Sequence, residues 1–202
     1  MKNKYDNEIQ YISKNKGDEL ILKNIDSKIF KTKEEIEFIV KRLINNDKFL
    51  LDKPINFKLL YRASKDGYSE KSFHNKCDNI SGTLIIIKTT KGIKFGGYTE
   101  QTWNINNSHG KTDNKGIAFC FSLDLFKIYN HINNISIYCY SNSGPSFRNL
   151  IHTYFPLTTN NNYTVTKIGS DSFDKFEKDY EINNYQQYFA IQELEVFQIF
   201  FD

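Results

Sequence analysis

Leu59-Leu60-Tyr61-Arg62-Ala63-Ser64-Lys65-Asp66-Gly67-Tyr68-Ser69, followed by Phe73-His74-Asn75-Lys76-Cys77-Asp78, then Thr83-Leu84-Ile85-Ile86-Ile87-Lys88-Thr89 and Phe95-Gly96-Gly97-Tyr98-Thr99, is the stretch that decides the fold. Residues 57–62 read as a buried strand, and Asp66-Gly67 turns the chain. Ser69 is placed to cap a helix of about eight residues, on which Phe73 and Cys77 share a face. Residues 83–89 are strongly β-branched and predict a strand. Lys91-Gly92 predicts a hairpin turn, with residues 93–98 as the partner strand. Two adjacent glycines inside that partner predict either a bulge or a close backbone approach.

Working outward, Thr32 and Glu35 have the capping-box spacing. Ile36, Ile39, Val40, Leu43 and Ile44 then form an apolar stripe at helical spacing, which Asn45-Asn46-Asp47 ends. Residues 26–30 read as a short strand before that helix. Residues 104–115 form a loop rich in Asn, Ser, Gly and Asp, and 117–123, 135–140 and 163–168 read as further short strands. Residues 188–201 are the closing strand. Glu193 and Glu195, two apart, point to one side of it and read as the exposed face of an edge. One long amphipathic helix among many short strands predicts an α+β, mostly β fold: a two-sheet antiparallel β-sandwich flanked by helices. Residues 1–24 are polar and weakly patterned, an N-terminal arm or linker, so the domain proper spans 25–202.

A chain of 202 residues suits one domain with a substantial core, and 17 Phe with 13 Tyr supply large buried areas. The net charge of +3 comes from 27 basic side chains spread among 24 acids. The densest basic group, Lys14 to Lys33, is diluted by Asp18, Glu19 and Asp26, which argues against a nucleic-acid partner. Cys77, Cys120 and Cys139 are odd in number and lack a C-x-x-C pair, which fits reduced thiols and a cytoplasmic location. There is no apolar run of membrane-spanning length and no signal-peptide core, so no membrane insertion is expected.

Catalytic signatures are missing: there is no G-x-S-x-G elbow, P-loop, dinucleotide fingerprint or H-E-x-x-H. His74 and Cys77, three apart on one helix turn, lack the second ligand pair that a metal would need. Arg62, Ser64, Asp66 and His74 make the most suggestive polar cluster, and it has three readings. A hydrolase or redox enzyme would use the Arg62–Cys77 region, as a triad or through a thiol. A binding surface would present the same side chains outward. A structural cluster would have Asp66 accept turn amides, Ser64 tie the strand end, and Arg62 pair with Glu193 or Glu195. Direct peroxide scavenging would need an accessible low-pKa thiol, for which Cys77 is the candidate.

The quoted runs resemble the TLDc domain, which reads LLYRASRDGFS, FH..CD, TL.li.. and FGGYT at these places. Phe119-Cys120-Phe121-Ser122-Leu123 is similar to the family's F-L-F-S-L, and Glu193-Leu194-Glu195-Val196-Phe197 to its E-I-E-V-F. Ile137 to Ser141, with Gly144-Pro145-Ser146-Phe147, resembles the segment that contains its G-P-x-F-G. The resemblance covers residues 25–201. Arg148 departs from it by replacing a glycine, and the D-L-x-I stretch is missing. Residues 149–184 are rewritten and acidic, with Asp171, Asp174, Glu177, Asp179 and Glu181. The resemblance, to oxidation-resistance and nuclear receptor coactivator type TLDc proteins, implies the same sandwich and no established active site or cofactor. It implies a non-enzymatic interaction module linked to oxidative-stress resistance, whose protein partner is the vacuolar proton-pumping ATPase (V-ATPase). Arg62, Ser64, Asp66, His74, Glu193 and Glu195 are then the expected binding residues.

Overall fold

The computed structural model describes residues 9–12, 21–22, 25–45, 55–104, 110–132, 135–148, 150–153, 164–165 and 180–201. Strands β1 (Ile9–Ile12) and β2 (Ile21–Leu22) precede helix α1 (Lys33–Asn45) and strand β3 (Ile55–Arg62). Short helices α2 (Ala63–Asp66) and α3 (Glu70–Cys77) lead to β4 (Thr83–Thr89) and β5 (Lys94–Thr99). Then come β6 (Lys111–Thr112), β7 (Phe119–Ser122), β8 (Lys127–Asn130), β9 (Ile135–Tyr138) and β10 (Ser146–Phe147). The chain continues through β11 (Thr164–Val165) and β12 (Tyr188–Phe189) to β13 (Ile191–Phe201).

A large antiparallel sheet runs in the order β2-β1-β3-β13-β4-β5-β7-β8, and a smaller one in the order β10-β9-β6. The fold is α+β and mostly β, as the pattern of short strands predicts. One face of the large sheet packs on the small sheet through Tyr61, Ile85, Phe95, Leu194, Ile137 and Phe147. The other face lies under α1, whose Ile39, Val40 and Leu43 meet Phe57, Leu84, Phe119 and Phe197. Trp103 is fully buried among α3 and the small sheet, edge-on to Phe73 at 5.7 Å and to Phe147 at 6.1 Å. Its indole N–H donates to Thr83 Oγ1 at 2.9 Å, so the ring's one polar atom is satisfied.

Local sequence signals place several elements well. Ser69 caps α3 by accepting from the Ser72 N–H at 3.2 Å, and Phe73 and Cys77 on that helix are buried together. Thr32 Oγ1 accepts from the Glu35 N–H at 3.3 Å, while the Glu35 carboxylate accepts from the Lys31 N–H at 2.8 Å. Glu35 also bonds Lys94, which fixes the start of α1 on β5.

Three expectations are corrected. The closing strand is not an edge: β13 pairs with both β3 and β4, so Glu193 and Glu195 are buried in the middle of the sheet. Residues 26–30 are a turn and not a strand, because Ser27 Oγ accepts from the Ile29 and Phe30 N–H groups at 3.0 and 2.9 Å. Within the predicted loop, Lys111–Thr112 is an edge strand of the small sheet. Of the expected strand 163–168, Thr164–Val165 pairs with β12, and the rest lies outside the described residues.

The glycine pair resolves as a close approach. The β4–β5 register runs unbroken past it, so there is no bulge there. A Cβ on Gly97 would lie 2.5 Å from Phe147 Cζ, and one on Gly96 would run into the Ile85 carbonyl oxygen. Phe147 is the ring by which the small sheet seats on the large one. We expect Gly97→Ala to lower the unfolding free energy by about 2–3 kcal/mol, as overpacking does. At Gly92 nothing lies within 4 Å and only the φ of 88° opposes a side chain, so Gly92→Ala should cost about 1 kcal/mol. Urea denaturation of both variants checks this; equal losses would mean that the Phe147 contact is slack.

Candidate functional site

The polar cluster forms where β3 ends against the beginning of β13. Two register shifts aim its side chains. Leu60 is left without a partner between Val196↔Tyr61 and Phe197↔Leu59, and Gln192 between Ile191↔Thr89 and Glu193↔Lys88. Such bulges re-aim the residues beside them. Arg62 thus faces Glu195 across the ladder, with Nε donating to Oε1 at 2.6 Å.

Glu195 is 0% exposed, and a buried carboxylate needs donors. Besides Arg62, it accepts from Ser27 Oγ–H at 2.5 Å and from the Lys28 N–H at 2.9 Å. The guanidinium reaches outward as well, donating through Nη2 to the Asp26 carbonyl at 2.5 Å and to Asp26 Oδ1 at 3.1 Å. Burial alone would lower the Arg62 pKa. Its hydrogen bonds to Asp26 and the charge of Glu195 outweigh that and hold the group above its ordinary value. Asp26 is largely exposed, so the outer half of this ion triad is screened by water and the inner half is not.

The other expected residues divide among separate partners. Glu193, also buried, accepts from the Ser64 N–H at 3.0 Å and the Leu194 N–H at 3.2 Å, which holds the first turn of α2. Ser64 Oγ is exposed and accepts from Lys28 Nζ at 2.8 Å. Asp66 accepts from the Arg62 N–H at 2.9 Å and lies 3.7 Å from Lys76. Tyr61 and Tyr68 tie the same corner, donating to the Gly67 and Gln192 carbonyls at 2.7 and 2.8 Å.

His74 belongs to a different place. Its Nδ1 lies 2.8 Å from Asp78 Oδ1, and its Nε2 faces the carbonyls of Ser143 at 3.0 Å and Tyr140 at 3.2 Å. Two carbonyl acceptors at Nε2 require a proton there, so the ring pins α3 to the loop after β9. Arg62, Ser64, Asp66, Glu193 and Glu195 are brought together; His74 serves Asp78 and that loop. Ser64, Asp66 and His74 do not make a hydrogen-bonded chain among the described contacts.

Sequence reasoning missed Asp26, Ser27 and Lys28, because reading 26–30 as a strand hid a turn-forming Asp-Ser pair. It also missed Asp78, which the i, i+4 spacing from His74 on a helix could have flagged. Among the described residues no group of three or more His, Cys, Asp or Glu side chains is placed to hold a metal. All three thiols are buried. Desolvation pushes the pKa of each above its ordinary value, so they stay protonated. Cys77, the one candidate for direct oxidant chemistry, is sealed in the core beside Tyr61 and Phe73.

A family model of the TLDc domain matches residues 24–200, close to the span the sequence landmarks cover. No curated protein matches the chain.

The geometry sets two expected outcomes. Glu195→Gln strips a charge from the buried pair and should cost about 3–5 kcal/mol, whereas Ser64→Ala at an exposed hydroxyl should stay within about 0.5 kcal/mol. Urea denaturation separates the two, and equal losses would contradict the assigned burial of the pair. The native thiols should resist a thiol reagent such as DTNB at pH 8 and react only on unfolding. Because their folded-state pKa values are raised, their contribution to stability is complete below about pH 8.5 and declines as the pH rises beyond it. Fast labelling of the native chain would contradict that assignment.

Proposed function

The chain belongs to the TLDc domain family, and on that premise we propose that it is a non-enzymatic, cytoplasmic protein-interaction module that binds subunits of the V-ATPase. The family carries a general link to oxidative-stress resistance. The observation that supports an interaction module is where the reactive-looking groups go. Arg62, Glu193 and Glu195 are spent on holding the sheet end together, His74 on pinning a loop, and the thiols on filling the core. Protection against oxidants then passes through a partner rather than through a thiol of this chain.

Such a module acts by wedging or clamping between subunits. It shifts an assembly equilibrium by no more than the difference between its affinities for the two states. A hundredfold preference for one state corresponds to about 2.7 kcal/mol, enough to reverse a population that favours the other tenfold.

The test uses the full chain as bait against cytosol and solubilised membranes, with mass-spectrometric readout. Recovery of V-ATPase subunits is the expected result, and recovery of nothing above background would sink the proposal. An enzyme acting through residues 62–77 would instead lose turnover of a peroxide or an ester on Ser64→Ala while keeping its stability.

A further inference from the structure

Both ring nitrogens of His74 face groups that accept hydrogen bonds. Nε2 lies 3.0 Å from the Ser143 carbonyl oxygen and 3.2 Å from that of Tyr140, and Nδ1 lies 2.8 Å from Asp78 Oδ1. A neutral imidazole carries one N–H and one bare nitrogen. With its N–H given to the carbonyls, the bare nitrogen would point at a carboxylate. The ring is buried, and the backbone on either side is fixed: the Asp78 N–H donates to the His74 carbonyl at 3.0 Å and the Asn79 N–H to the Trp103 carbonyl at 2.8 Å. The geometry therefore calls for a second proton within the pair, on Nδ1 or shared with Asp78.

That proton bears on a surface turn. Residues 140–143 are closed by the Ser143 N–H donating to the Tyr140 carbonyl at 3.1 Å, and Nε2 grips the carbonyls at both ends of this turn. Tyr140, Ser141 and Asn142 are exposed, whereas Cys139 and Ser143 on either side are buried. An imidazolium is a stronger donor than a neutral ring, so the second proton tightens the grip.

Asp78 is the charged side chain bonded to the ring among the described residues, and Phe73 packs edge-on to it at 5.0 Å. Farther along α3, Lys76 pairs with Asp66 at 3.7 Å. The other titratable groups on the two joined elements are the thiols of Cys77 and Cys139 and the phenol of Tyr140. Burial pushes both thiols up, and the charge of Asp78 adds to that at each; Lys76 opposes it at Cys77 and Lys111 of β6 at Cys139. Asp78 thus acts on both elements that the ring joins.

We propose that His74 and Asp78 form a proton-operated latch on the turn 140–143. In the protonated pair the imidazolium donates to Asp78 from Nδ1 and to both carbonyls from Nε2. Loss of one proton to water leaves a single N–H, which the Asp78 carboxylate takes as the stronger acceptor. The bare Nε2 then repels the two carbonyls and lets the turn go. Because the extra proton is bound with the turn in place, the hold is complete on the acid side and weakens as the pH rises.

The test is an NMR titration of the full ¹⁵N-labelled chain, with the His74 ring identified by its loss in His74→Gln. Exchange of the Ser143 amide should be slow while both ring nitrogens carry protons. It should become about tenfold faster or more once one proton is lost, after the base-catalysed increase common to all amides is divided out. The two steps should fall at the same pH. In Asp78→Asn, whose amide can donate to a bare Nδ1, both steps should move together to lower pH. In His74→Gln, which keeps a donor for the carbonyls but cannot titrate, the Ser143 step should vanish. Steps at different pH values, a Ser143 amide indifferent to the charge of the ring, or an Asp78→Asn ring that titrates like the wild type would overturn the latch. So would a Ser143 step that persists in His74→Gln, since another group would then own it.

Discussion

One buried carboxylate constrains this structure more than any other group. Glu195 lies in the middle of the large sheet with no access to water, so its charge must be answered inside the protein or the strand cannot stay there. The answer comes from three parts of the sequence: Arg62 at the end of β3, the Ser27 hydroxyl, and the Lys28 backbone amide. Each fixes a different degree of freedom. Arg62 sets the pairing of β3 with β13, and Ser27 with Lys28 brings the chain entering α1 across the end of the sheet. A well-packed apolar residue at 195 could be as stable. It would not specify which strand sits beside which, because a Leu pairs with any apolar neighbour and a carboxylate does not.

The opposite face is specified by shape. The Phe147 ring occupies the space that a side chain at Gly97 would fill, so the two sheets approach closely at that point and Trp103 closes the gap toward α3. Cys120 and Cys139 fill small volumes in the same cluster. Their lack of charge matters more there than their sulfur chemistry. At Cys120 desolvation acts alone against a thiolate, and at Cys139 the Asn104 backbone and the charge of Lys111 only partly offset it.

What could be read from the sequence follows from the range of the forces involved. The α1 stripe, the Ser69 cap, the β4–β5 hairpin and the glycine pair depend on neighbours a few residues apart, so local patterns disclose them. The place of β13 depends on a pairing 133 residues away in the chain, between Arg62 and Glu195. Nothing local distinguishes Glu193-Leu194-Glu195 at an edge from the same run at a centre. The alternation is identical, and only the presence of donors across the sheet decides. The same holds for the candidate cluster. Arg62, Ser64 and Asp66 were recognisable as a group, and Arg62 was expected to pair with Glu193 or Glu195. Their true companions Asp26 and Ser27 were not, because they join through tertiary contact alone. His74 lies near them in sequence and far from them in role, since one turn of α3 points it toward the loop after β9.

Two polar systems share this end of the sheet. A surface binds tightly when little freedom remains to be lost on docking. The Arg62–Glu195 pair and the Glu193–Ser64 contact hold the end of β3 and the start of β13 from within, and Lys94–Glu35 and Lys127–Glu181 anchor the neighbouring turns. Those ion pairs would be poor contacts for a partner, because they are already satisfied and docking would bury them further. As a frame they are suited: Lys94–Glu35 ties the start of α1 to β5, and Lys127–Glu181 ties the β7–β8 turn to the segment 180–190. The buried charges at this end of the sheet therefore act as internal ties that fix strand pairing and turn placement, each in a way an apolar contact could not specify.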